Sequence, residues 1–155
     1  MVMRGAAAAA LALIVGASAA QADVVFKGTA VVTAVTNTAV CLAEYDVGEA
    51  FAITYRAKVS GEPAKETLQG IGTDGAYLIT ATSSGGLLRG GGATARIDGV
   101  AYAQPVTVTS TTLSLTSAPA TIAASTNYVT LSGYINNLAI PGCRVTFRMS
   151  LARLP

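Results

Sequence analysis

From Arg144 to Leu151 the chain alternates without a break: Val145, Phe147, Met149 and Leu151 share one parity, and Arg144, Thr146, Arg148 and Ser150 share the other. Successive side chains of a strand point to opposite faces, so this period of two specifies a half-buried β-strand with one apolar and one wet face. The pattern recurs along the chain. Phe51, Ile53 and Tyr55 oppose Ala52, Thr54 and Arg56; Leu113 and Leu115 oppose Thr112, Ser114 and Thr116; Val129, Leu131 and Ile135 oppose Tyr128, Thr130, Ser132 and Tyr134. Thr, Val and Tyr, which suit a pleated surface packed on one side, fill these runs. No stretch beyond residue 22 carries a helical stripe.

Turn chemistry divides the runs. Asp98-Gly99, between Ala95-Arg96-Ile97 and Val100-Ala101-Tyr102, is the strongest hairpin signal, because both residues tolerate positive φ. Gly61-Glu62-Pro63, Thr73-Asp74-Gly75, Gly85-Gly86, Ala118-Pro119, Asn136-Asn137 and Pro141-Gly142 mark other breaks. Strands are therefore predicted over 24–36, 50–59, 66–71, 76–82, 92–97, 100–109, 111–117, 127–135 and 144–153. The fold class expected is all-β: a single antiparallel β-barrel or β-sandwich of about eight to nine strands, with the first and last strands adjacent.

Residues 1–22 read as a secretory signal peptide. Arg4 and the amino terminus are positive, Ala6 to Val15 form an apolar core too short to span a bilayer, and an A-x-A cleavage site follows at Ala20-Gln21-Ala22. Cleavage between Ala22 and Asp23 leaves residues 23–155 as one all-β domain, large enough for a core of its own. The expected location is exported, periplasmic or extracellular. That domain has no apolar run long enough for a transmembrane helix.

Export gives the two cysteines a meaning. Cys41 and Cys143 are the only ones in the chain, and in an oxidising compartment two cysteines most simply form one disulfide. Cys41 follows the end of the first predicted strand and Cys143 precedes the start of the last. Antiparallel pairing of those strands would bring the two together.

The motifs that could carry chemistry fail on inspection. Gly70-Ile71-Gly72-Thr73-Asp74-Gly75 matches G-x-G-x-x-G, but a strand rather than a helix follows it, so no dinucleotide site is expected. Gly85 and Gly90 have Walker A spacing, with Gly91 where the lysine should stand. The chain has no histidine, which removes the commonest general base and histidine-bearing metal sites. Glu44, Asp46 and Glu49 form a local acidic cluster that reads as solvated loop charge. No cofactor, metal or catalytic residue is expected, and no charge run points to nucleic acid.

Two surface features remain. Gly85 to Gly92 reads as a flexible loop carrying Leu87, Leu88 and Arg89, which could touch a partner or a membrane surface, whereas the favoured reading is packing within a loop or strand. Tyr128 and Tyr134 share strand parity with Thr130 and Ser132; a wet face would make them a glycan- or polymer-binding surface, whereas the favoured placement is at the rim of the core.

Val25-Phe26-Lys27-Gly28-Thr29-Ala30-Val31-Val32, with Cys41 thirteen residues past Gly28, resembles the opening of chaperone–usher fimbrial subunits. That resemblance implies an incomplete immunoglobulin-like sandwich completed by a neighbour's donor strand. Cys143 is too distant for the family's short disulfide loop, and Leu154-Pro155 lacks its terminal tyrosine. The functional expectation is a non-enzymatic binding or structural protein of the cell envelope or periplasm, with an envelope or protein partner. The alternatives are a fimbrial or adhesin-like subunit, a small outer-membrane barrel, or a histidine-free hydrolase.

Overall fold

The computed structural model describes residues 24–57, 66–72, 75–97, 106–138 and 140–155. The expected cleavage site at Ala22-Asp23, the Asp98-Gly99 turn and the Gly61-Glu62-Pro63 break lie outside them. Eight strands run in chain order: β1 (Val24–Val35), β2 (Ala50–Ala57), β3 (Glu66–Ile71), β4 (Gly75–Ser84), β5 (Leu87–Ile97), β6 (Val106–Ala118), β7 (Tyr128–Asn136) and β8 (Arg144–Arg153). Each pairs with the next antiparallel, and β8 pairs with β1, so the sheet closes into a barrel. Closure hides every edge. The incomplete sandwich implied by the fimbrial resemblance does not form, because β8 occupies the place beside β1 that a donor strand would fill.

Alternation decides which side of each strand faces in. Phe26, Ala30 and Val32 from β1, Phe51, Ile53 and Tyr55 from β2, and Val145, Phe147, Met149 and Leu151 from β8 are buried in one cluster. Phe26 stacks on Tyr55 with ring centroids 6.1 Å apart, and Phe51 meets Phe147 edge-on at 5.9 Å. Eight strands leave an interior just wide enough for side chains to fill. A cavity of about 20 Å³ remains between Phe51, Leu68, Tyr77 and Met149. It has room for one water at most, and its apolar lining offers that water nothing.

The β1–β8 seam runs from Phe26 opposite Arg153 to Val35 opposite Val145, with an irregularity at Thr33, whose hydroxyl donates to the Thr146 carbonyl at 3.2 Å. Gly28 crosses this seam against the Ser150 carbonyl, where a Cβ would collide with backbone. Above it, α1 (Ala39–Glu44) starts at Thr38, whose hydroxyl accepts from the Cys41 amide at 3.4 Å. Cys41 is bonded to Cys143, with their Cα atoms 5.6 Å apart. Tyr45 then drops into that end of the barrel and donates to the Leu138 carbonyl at 2.6 Å. The strand pairing and the disulfide are both as the sequence implies.

Two local expectations are overturned. Gly85 and Gly86, at φ +58° and +80°, make a two-residue turn between paired Ser84 and Leu87, and β5 begins immediately, so residues 87–92 are strand rather than flexible loop. The predicted strands 100–109 and 111–117 are one strand, β6. Gly91 faces Thr112 and Ala93 faces Val108, so β6 bulges there. A bulge shifts side-chain parity without ending a strand, which in sequence imitates a turn.

Candidate functional site

Inside the barrel a buried polar pair, Tyr55 and Glu66, stands among apolar neighbours. Tyr55, wholly buried, donates to Glu66 Oε2 at 2.9 Å, and Glu66 is 1% exposed. Burial, reinforced by the Glu66 charge, pushes the Tyr55 hydroxyl above its ordinary pKa; burial and then the neighbouring Tyr77 do the same to Tyr45. These groups are sealed in the core. Glu44, Asp46 and Glu49 lie around α1 on the outside, with the Asp46 amide donating to Glu49 Oε2 at 3.4 Å. Among the described residues no cluster of three or more His, Cys, Asp or Glu side chains could hold a metal ion.

The outer wall is built differently. On β7, β8 and β1 the strand registers align outward side chains in rows: Tyr128, Ala152 and Lys27; then Thr130, Ser150 and Thr29; then Ser132, Arg148 and Val31. Strand neighbours sit about 4.8 Å apart and successive rows about 7 Å apart, so the grid is a fine mesh of hydroxyls with cations set into it. Further along, Tyr134 is half-buried beneath Arg144, whose guanidinium lies 4.2 Å from the ring centroid and donates through Nε to Asn136 Oδ1 at 2.9 Å. At the other end an open groove of about 470 Å³ lies between Tyr128, Ala152, Arg153 and Leu154.

Charge on this wall has one sign. From Gly99 to Pro155 the sequence contains Arg144, Arg148 and Arg153 and no Asp or Glu, and β1 adds Lys27. The four cations of β1 and β8 therefore face no carboxylate side chain on their own strands or on β6 and β7.

The predicted surface residues separate on this frame. Leu88 is 1% exposed and packs in the core, Leu87 is half-buried, and only Arg89 stays outside, its carbonyl accepting from the Thr82 hydroxyl at 3.2 Å. They form no exposed patch, because strand alternation divides them. Tyr128 and Tyr134 do face outward with Thr130 and Ser132, so the favoured placement at the core rim is corrected. They do not make one platform: six residues of β7 hold them about 20 Å apart. Tyr128 is 75% exposed, while Arg144 covers a face of Tyr134. Lys27, Arg148 and Ser150 are additions that single-strand reading missed. The signal available was the absence of acids after Asp98. Comparison with protein families, with curated proteins and with solved structures finds no match to this chain.

Proposed function

We propose that this chain is an exported, non-enzymatic binding domain of the cell envelope or periplasm that works through the outer wall of its barrel. The observation that carries this reading is the contrast between a core filled by its own side chains and the exposed grid of hydroxyls and cations on β7, β8 and β1. Among the described residues the interior side chains leave space for no more than a water, which turns recognition toward the surface. On β7, β8 and β1, where a bilayer-embedded barrel needs outward apolar residues, the outer face carries Lys27, Thr130, Ser132, Arg148 and Ser150. Among the described residues no two carboxylates meet in a cleft, with Glu66 sealed in the core and Glu44, Asp46 and Glu49 around α1, which favours binding over carboxylate catalysis. The disulfide suits an oxidising compartment.

Fractionation of the secreting cell tests the reading. The mature protein should begin at Asp23 and sediment with envelope material. A Tyr128→Ser/Arg148→Gln variant should move to the soluble fraction with its disulfide intact. Retention of Met1, or identical partition of the two proteins, would sink the proposal.

A further inference from the structure

The wall's chemistry is specific enough to name a class of partner. We infer that the outer face of β7, β8 and β1 binds an acidic polysaccharide whose carboxylates are carried on the sugar rings, a polyuronate. The inference rests on the outer-wall reading above and adds the ligand to it.

The cations come first. Lys27 and Arg148 are exposed on adjacent strands, two rows apart, and no Asp or Glu side chain lies on their own or the flanking wall strands β6 and β7. A partner that neutralises them must bring its own negative charge, and an arginine fork accepts a carboxylate through two parallel hydrogen bonds. Between the two cations lies a row of exposed hydroxyls, Thr130, Ser150 and Thr29. Hydroxyls there can both donate and accept, which matches the alcohols of a sugar and offers little to a hydrocarbon.

Tyr128 supplies the third element. It stands 75% exposed beside Ala152, with Lys27 on the far side of that alanine. The small alanine leaves a shallow floor between an aromatic flank and a cation. A pyranose ring resting against Tyr128 would hold its carboxylate toward Lys27. An anionic bilayer satisfies the cations alone: Val31, 38% exposed, is the one sizeable aliphatic side chain in the three rows, too little to insert. Charge and hydroxyls mixed on one polymer fit the whole face.

The experiment uses the exported protein with polygalacturonate as the probe, dextran as the neutral glycan and phosphatidylglycerol vesicles as the competing anionic surface. Polygalacturonate should bind and weaken as salt is raised, and dextran should not bind. Lys27→Gln/Arg148→Gln should lose at least about tenfold in affinity, and Tyr128→Ala should lose affinity with the salt dependence kept. Arg89→Gln, on β5 across the barrel, should bind as wild type does. Unchanged circular dichroism and an intact disulfide will show that each variant is folded. Absence of polygalacturonate binding, equal loss with Arg89→Gln, or capture by the vesicles in preference to the glycan would each overturn the inference. If polygalacturonate fails while Tyr128→Ser/Arg148→Gln still releases the protein from the envelope, the ligand class is wrong and the wall reading stands. If both fail, the wall is not the working surface.

Discussion

Tyr55 and Glu66 are diagonal neighbours on the inner face of β2 and β3: Tyr55 stands opposite Leu68, and its hydroxyl reaches back to Glu66 Oε2 at 2.9 Å. The barrel spends an interior position on this contact, so it should register in stability. Tyr55→Phe removes the donor and leaves a buried carboxyl short of one hydrogen bond, which should cost about 1–3 kcal/mol by urea unfolding. A change inside about 0.5 kcal/mol would show that the bond contributes nothing net.

Alkaline pH should loosen the fold through the same residue and Tyr45. Both hydroxyls are held above the ordinary tyrosine value of 10.0, principally by burial. The folded state therefore keeps protons that the unfolded state releases above pH about 10. The stability they contribute is complete below that pH and falls as pH rises beyond it, by about 1.4 kcal/mol per pH unit for each tyrosine. Urea midpoints taken from pH 8 to 12 should show this fall, and Tyr55→Phe should make it shallower. A variant that falls as steeply as wild type would remove Tyr55 from the account.

The Cys41–Cys143 bridge closes a loop of 102 residues. Cys41→Ser/Cys143→Ser should lower stability by about 2–5 kcal/mol while the far-ultraviolet spectrum stays that of the barrel. Mass analysis of the non-reduced, alkylated wild type should find neither thiol modified. Two alkyl groups would end the claim.

Gly85 isolates a backbone effect, because a Cβ built there meets nothing within 4 Å while φ is +58°. Gly85→Val should cost about 1 kcal/mol or more through conformation alone. Gly85→Asn should recover much of that loss, since asparagine tolerates the left-handed region. Equal stability of all three proteins would show that the turn opens freely.

Alternation made the strands legible, and it was surest where a strand keeps one parity throughout, as β8 does. It failed in β6, where the bulge opposite Gly92 shifts the pairing within a continuous strand. Glycine misled in the other direction. Gly85-Gly86 is a tight turn and Gly90-Gly91 are ladder residues of β5, yet in sequence the cluster looks like one slack loop. The binding wall was harder still. Parity put Tyr128 and Thr130 on one face but could not say which face was wet, and it could not see that Ala152 and Lys27 complete their row. Those neighbours come from strands more than a hundred residues apart, brought together only when the barrel closes.

The position of the disulfide has a consequence for a protein that meets proteases. Cys41 precedes β2 and Cys143 follows β7, so the segments joining β2 to β3, β3 to β4 and every later pair up to β7 lie inside one covalent ring. A single cut at any of them, at 58–65 or at 119–127, leaves both new ends tethered to the same molecule. The strands on either side of the nick remain paired with their other neighbours, and no fragment can diffuse away. Clipping would thus be silent until the bridge is reduced, so digestion that leaves one band on a non-reducing gel should yield two on a reducing one.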